Sequence, residues 1–209
     1  MSDPANRLER PAVLIGGGGH ARVVAAAAQA AGWSLAGAVD PAVAVGQAVA
    51  PGVVCLGCDT DLDNERYPVL LMGLGQLPKR EHRRKTLFEA LRDKGHVFPA
   101  LVHPRAFIAA EVWLEEGVQL MAGAIIQPGS SIGPNCLINT GACVDHDCKI
   151  EGHVHVAPGA VLCGSVLVGA GAFIGAGAVV LPGVRIGAGT VVPAGAVVRA
   201  DVSEQLRRG

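Results

Sequence analysis

Aromatic residues make up only 3% of this 209-residue chain: four Phe, two Trp and one Tyr. Half of the chain is nevertheless hydrophobic. That pairing excludes a broad core built on large rings and predicts a narrow one filled by Val, Ile, Leu and Ala. Net charge is also scarce, at −1, so no basic footprint argues for nucleic acid. Long apolar runs are missing, because Gly and polar residues interrupt every stretch, and no membrane span is expected. The N-terminus lacks the apolar segment of a secretory leader, which makes a cytoplasmic protein the default expectation. The six Cys are then expected as reduced thiols. Cys55-Leu-Gly-Cys58 has no second CxxC to complete a zinc site, and reads as two small core residues near a strand. The basic run Arg80, Arg83, Arg84 and Lys85 is mixed with Glu81 and Glu89 and reads as a solvated helix face.

What the chain has in abundance is a beat of six. From Val102 to Val198 a Val, Ile or Leu stands at every sixth residue. A fixed short period marks a solenoid. Four residues after each aliphatic stands a small or β-branched side chain, among them Ala124, Ser130, Cys136, Ala142, Cys148 and Ala160. Gly-x-Gly often falls between, as at Gly175-Ala176-Gly177. The pattern predicts short strands joined by tight corners, with three hexads to a triangular coil. Coils should stack about 4.8 Å apart. The aliphatic and small positions face inward, and the residue between them faces outward. Many outward residues are apolar, including Trp113, Ile125, Leu137, Val161, Leu167, Phe173, Val179 and Val191. Left wet they would form large patches, so they predict association through the prism faces, most simply as a homotrimer.

Residues 1–100 read differently. Pro11–Ile15, Ser34–Val39 and Val69–Met72 have the character of buried strands, and Ala21–Ala31 and Pro78–Lys94 that of helices. The alternation predicts a small parallel α/β domain, followed at 101–209 by the solenoid. Gly16 to Gly19 and His20 form a Gly-rich turn entering a helix, where free N–H groups and the helix dipole favour a phosphate. Asp40 lies where an acidic residue would meet a ribose or a base.

Two hexads interrupt the solenoid pattern. Val144-Asp145-His146-Asp147-Cys148-Lys149 puts Asp-His-Asp where other hexads carry Gly-x-Gly, and the next hexad adds His153 and His155. Imidazole titrates near neutral pH, and a carboxylate neighbour sets its tautomer and raises its basicity. His146 is therefore the candidate general base.

The segments Ile15-Gly-Gly-Gly-Gly-His20-Ala-Arg-Val-Val24, Asp40 and Ile138-Asn-Thr-Gly-Ala-Cys-Val-Asp-His-Asp-Cys148, followed by hexads, resemble the sugar O-/N-acyltransferases of the NeuD/PglD/PerB type. The resemblance spans nearly the whole chain. It implies an N-terminal Rossmann-like nucleotide-sugar domain and a left-handed parallel β-helix that assembles as a homotrimer with intersubunit sites. It further implies His146 as catalytic base with Asp147 as its acidic partner. His155, Gly164 and Ala176 then match contacts to acetyl-CoA, the co-substrate. Gly18, Gly19 and His20 match a phosphate loop, Asp40 and Gly75 a nucleotide pocket, and Asn139 a sugar contact. No metal is implied. The chain departs from the family at Gly75-Gln-Leu-Pro-Lys-Arg80, where relatives carry Gly-Asp-Asn-x-x-Arg, and in its last residues.

The leading expectation is an acetyl-CoA-dependent N-acetyltransferase acting on a nucleotide-linked amino sugar, such as a UDP-4-amino sugar. O-acetylation of sialic acid or a related sugar is the nearest rival. A metalloenzyme of the γ-carbonic anhydrase kind, using His146, His153 and His155, and a nonenzymatic nucleotide-sugar sensor are the others. The choice among UDP, GDP and dTDP stays open.

Overall fold

The computed structural model describes residues 10–76 and 81–203. Two compact units make up the chain, one of residues 1–75 and 82–104, the other of 76–81 and 105–209.

The first unit is a five-stranded sheet with two helices. Ala12–Ile15 (β1), an unbroken aliphatic run, lies at the sheet's interior between Leu35–Val39 (β2) and Leu70–Met72 (β5), parallel to both. Gly19–Ala30 (α1) follows β1, beginning two residues before the expected start, and buries Ala21, Val24, Ala25, Ala27 and Ala28. Ala-rich sequence favours helix and lets the helix lie close to its neighbours. Two further strands were not foreseen. Ala48–Ala50 (β3) and Val53–Gly57 (β4) form an antiparallel pair about Pro51-Gly52, and β4 extends the sheet beside β2. β3 is only three residues long and β4 reads VVCLG without polar alternation, so tertiary pairing decides them.

Glu81–Asp93 (α2) completes the unit and ends where Gly95 donates its N–H to Arg92 O. Pro78, the expected start, lies outside the described residues. Phe88 and Leu91 of α2 pack with Phe98, Val13, Ile15, Val39, Leu70 and Met72, and the Phe88 and Phe98 rings stand 4.6 Å apart. Truncating either ring to Ala would cost about 3–5 kcal/mol.

The basic run is not uniformly solvated. Lys85 is exposed and pairs with Glu89 at 3.9 Å. Arg84 is only 1% exposed and donates through Nη1 to the carbonyls of Met72 and Leu74. Charge-assisted bonds to these carbonyls at the end of β5 offset the cost of taking the guanidinium out of water. Cys55 and Cys58 also part company. Cys55 is buried with its thiol on Val43 O and Gly57 O, whereas the Cys58 thiol bonds Asp61 and only Cys55 is a core residue.

Leu101–Val102 (β6) leaves the first unit, and the second is a left-handed parallel β-helix of two-residue strands. One sheet stacks Phe107–Ile108 (β7), Ile125–Ile126 (β10), Cys143–Val144 (β13), Val161–Leu162 (β16), Val179–Val180 (β19) and Val197–Val198 (β22). A second stacks Trp113–Leu114 (β8), Ser131–Ile132 (β11), Lys149–Ile150 (β14), Leu167–Val168 (β17) and Arg185–Ile186 (β20). The third runs through Gln119–Leu120 (β9), Leu137–Ile138 (β12), His155–Val156 (β15), Phe173–Ile174 (β18) and Val191–Val192 (β21). Neighbours are parallel in a register of 18 residues, as in Ile125 with Cys143 and Cys143 with Val161. Three hexads therefore make one coil. Each aliphatic from Leu120 to Val192 is buried, as are Ala124, Ala142, Ala160 and Ala178 in the small slots.

The two glycines of Gly-x-Gly do different work. A Cβ on Gly169, the first glycine of Gly169-Ala170-Gly171, would stand 2.5 Å from the Ala188 nitrogen of the next coil. The last corner residue adopts a left-handed conformation, with φ +65° at Gly177. Asp147 and His153 occupy that slot with φ +58° and +63°, a conformation that costs a non-glycine residue about 1–2 kcal/mol.

The outward rows are not alike. Gln119, Leu137 and His155 on the third sheet are buried within the single chain, contrary to the expectation that outward residues stay wet. Part of that cover is Gln76, whose carbonyl meets the His155 ring. The first sheet's row, Phe107, Ile125, Cys143, Val161, Val179 and Val197, carries no charge, and three of its members are exposed. Trp113 on the second sheet is 69% exposed.

Candidate active site

His146 and Asp147 stand on the corner between β13 and β14. His146 Nδ1 lies 2.9 Å from Asp147 Oδ2, and both side chains are exposed. The left-handed backbone at Asp147 turns its carboxylate back toward the preceding ring. Asp145 closes the other side, its Oδ1 accepting the His146 N–H at 2.8 Å. A carboxylate can only accept here, so Nδ1 carries the proton and Nε2 keeps its lone pair. The hydrogen bond that His146 donates to Asp147 raises the His146 pKa, opposed by desolvation and aided by the charges of Asp145 and Asp147.

Glycines of the neighbouring coils bracket this pair. A Cβ on Gly129 would strike Asp147 Oδ1, and one on Gly164 would fall 2.5 Å from His146 Nε2. The Gly164 N–H has no acceptor among the described residues. The Nε2 lone pair thus lies against a residue whose N–H is unengaged, which equips the corner to take a proton and to steady a nearby oxyanion.

The other two candidate histidines go elsewhere. His153 Nδ1 meets Asn135 Nδ2 at 3.0 Å. His155, 7% exposed, donates from Nδ1 to Gln76 O at 3.0 Å and accepts at Nε2 from Asn139 Nδ2 at 3.2 Å. The carbonyl fixes this tautomer, and Phe173 packs edge-on at 4.9 Å. Asn139 Oδ1 in turn accepts the Thr140 N–H at 2.8 Å. Asn139 and His155 therefore form a pair of their own. Ala176 is exposed at the corner that follows β18, a different edge from that of His146 and Gly164. Among the described residues no group of three His, Cys, Asp or Glu is arranged to hold a metal ion.

In the first unit Gly16 N–H donates to Val39 O, and Gly17 N–H to Asp40 Oδ2 at 2.7 Å. Asp40 Oδ1 accepts from Ala42 N–H. Asp40 thus anchors the loop. A Cβ on Gly17 would strike Val43 and Asp40, whereas one on Gly18 or Gly19 would meet nothing within 4 Å. The fold gives those two exposed glycines no packing reason, and they open α1, which has no side-chain cap and no acidic residue in its first turn. Gly75 faces this helix start, 3.6 Å separating a Cβ built on it from His20 Cβ. The loop, His20, Asp40 and Gly75 therefore lie about one helix N-terminus, a place whose free N–H groups and dipole favour an anion. Leu77 to Arg80, where the chain departs from the family motif, lie outside the described residues.

Ser130, Gly129 and Gln76 were not singled out from sequence. Adding or subtracting the 18-residue register from His146, Asp147 and Cys148 would have found Gly164, Gly129 and Ser130.

An imidazole–carboxylate pair on a β-helix corner, beside an unengaged backbone donor, is the equipment of an acyltransferase. The comparisons agree. The PglD N-terminal domain matches residues 12–87, and the bacterial transferase hexapeptide (six repeats) matches 165–200. A mutant of perosamine N-acetyltransferase from Caulobacter crescentus, solved with CoA and GDP-perosamine, has a TM-score of 0.86 at 39% identity, over 93% of this chain and 91% of that one. The acetyltransferase domain of PglB from Neisseria gonorrhoeae, solved with acetyl coenzyme A, has a TM-score of 0.84 at 31% identity, over 93% of each chain. WeeI from Acinetobacter baumannii, at 24% identity and a TM-score of 0.82 over 94% of each chain, shares the fold. The chain belongs to the left-handed β-helix family of sugar acetyltransferases.

Proposed function

We propose that the chain is an acetyl-CoA-dependent N-acetyltransferase acting on the amino group of a nucleotide-linked amino sugar. The observation that carries this reading is the His146–Asp147 pair with Nε2 packed against Gly164. His146 Nε2 takes the proton that the amine loses as its nitrogen attacks the thioester carbon. The Gly164 N–H donates to the carbonyl oxygen as that oxygen gains charge. The C–S bond then breaks, and His146 returns the proton to the departing sulfur. One C–N bond replaces one C–S bond, and the products are the acetamido sugar nucleotide and CoA thiol. General base help of this kind contributes about 10²–10⁴ in rate.

Direct attack is favoured over an acyl-cysteine relay. Burial pushes the Cys143 thiol up and the Cys148 thiol up to about 11, so both stay protonated near neutral pH. The Gly18–Gly19–His20 loop would hold the nucleotide's phosphates, with Asp40 and Gly75 bordering the rest of the nucleotide pocket, and perosamine N-acetyltransferase, solved with a nucleotide sugar, supports that assignment. His155 lies beside Asn139 and would border the acetyl-CoA path by packing, since both ring nitrogens are engaged within the chain.

A homotrimer fits two features. The uncharged first-sheet row invites a partner. His146 and Gly164 also occupy a different corner from Ala176, so a pantetheine arm touching both would lie between two copies. Six free thiols fit a reducing compartment, and we place the reaction in the cytoplasm.

The test is thiol release from acetyl-CoA across UDP-, GDP- and dTDP-linked amino sugars. Release is expected only with an amino-sugar nucleotide present. Acetylation of a free sugar acid, indifferent to a nucleotide, would overturn the assignment in favour of O-acetylation.

A further inference from the structure

Half of the corners of the β-helix close on themselves. The backbone N–H of the small residue donates directly to the carbonyl three residues earlier: Ala142 to Asn139 O at 3.0 Å, Ala160 to Ala157 O at 3.2 Å, Ala178 to Gly175 O at 3.1 Å. Val184 closes onto Leu181 O at 3.3 Å in the same manner, on the edge that carries His146.

The two coils holding the proposed chemistry do not close this way. At the His146 corner the Ser130 hydroxyl, buried in the preceding coil, stands between the two ends. Ser130 Oγ donates to Asp145 O at 2.7 Å and accepts the Cys148 N–H at 3.0 Å. One coil on, the Cys148 thiol does the same. It donates to Cys163 O at 3.2 Å and accepts the Val166 N–H. A side chain is thus inserted into each turn where a direct bond would otherwise run.

The peptides held in this way are those that matter. Asp145 O and the His146 N–H belong to one peptide group, and Cys163 O and the Gly164 N–H to another. A hydrogen bond to a peptide oxygen fixes its plane and so the direction of its N–H, and it polarises that N–H. The valines at equivalent positions of this edge, Val112, Val166 and Val184, have no group that could do this.

We infer that Ser130 and Cys148 are positioning residues for acyl transfer, holding open the two stacked corners that aim the His146–Asp147 pair and the Gly164 N–H at a shared point. The inference rests on the acyltransfer reading above. Cys148 serves as a donor because burial keeps its thiol protonated, and a thiolate could not donate. Cys136 supplies an internal control. Its thiol makes the same bond, to Glu151 O at 3.0 Å, at a corner that carries none of the proposed reacting groups.

The experiment compares Ser130→Ala, Cys148→Ala, Cys148→Ser and Cys136→Ala in the full chain. Alanine is native at Ala124, Ala142, Ala160 and Ala178, so each alanine variant is expected to fold with a directly closed turn. Losing an oxyanion donor outright costs about 10²–10³ in rate, and misaiming one in Cys148→Ala should lower kcat by about tenfold. KM for both substrates should stay within about twofold, since only transition-state contacts are lost. Cys148→Ser, which keeps a donor, should recover most of kcat, and Cys136→Ala should match the parent. Ser130→Ala should also lower the pKa of the His146 ring, followed by NMR, and Cys136→Ala should not. Equal kcat in Cys148→Ala and Cys136→Ala, with an unmoved His146 titration in Ser130→Ala, would overturn the inference. A parent chain that releases no thiol with any amino-sugar nucleotide would instead sink the acyltransfer reading, and the ring titration would still decide whether Ser130 holds the His146 corner.

Discussion

The His146 imidazole lies over the backbone of Gly164, one coil further along the same edge of the β-helix. A Cβ at 164 would stand 2.5 Å from Nε2 and 2.6 Å from Cε1. Gly164 has no left-handed φ to explain it. The ring, and not the backbone, requires glycine there.

Gly164→Ala should therefore displace the ring while leaving the coil intact. A small misplacement of a reacting group costs about 10² in rate. Steady-state kinetics beside a circular dichroism melt would check this. Full activity with an unchanged melt would show that the ring does not need its place over residue 164.

The raised pKa of His146 has a consequence for pH dependence. The base works unprotonated, so activity falls as pH drops through the His146 pKa. With that pKa raised, the acid limb of kcat/KM should lie above the ordinary imidazole value of about 6.5. Asp147→Asn removes the principal cause of the rise, so the limb should move to lower pH. A limb unmoved by Asp147→Asn would detach Asp147 from the base.

Arg84 should matter for stability. Arg84→Met leaves the Met72 and Leu74 carbonyls without their buried donor, at a cost of about 1–3 kcal/mol. Urea unfolding followed by fluorescence measures it. A midpoint equal to that of the parent would show that the carbonyls do not depend on the guanidinium.

The uncharged first-sheet row should mediate self-association. Val161→Glu puts a charge at the middle of the row, where burial against a second copy would leave it unpaired. Light scattering should show a trimer for the parent and a smaller species for the variant. An unaffected trimer would assign the contact to another face.

Much of the site could be read along the chain because the β-helix is regular. His146 and Asp147 stand out at a corner whose neighbours are Gly-x-Gly, and Gly164 is His146 displaced by one register. The first unit was less transparent. β3 and β4 have no alternation to betray them, and the Arg84 side chain sits among exposed charges in sequence yet enters the core. His155 stands at an outward position, but only the fold shows its ring nitrogens shared between Gln76 and Asn139.

By itself the sequence determined the coil, its 18-residue register and the corner that departs from it. Those features follow from side-chain size and backbone preference repeated every six residues, a local code. Only the tertiary structure decided which donors meet which carbonyls across coils and which charge is buried. The partners there are 15 residues apart for Ser130 and Asp145, and 12 for Arg84 and Met72. Hydrogen bonds of about 3 Å depend on how separate segments come to lie together, and no local pattern of residue types encodes that distance.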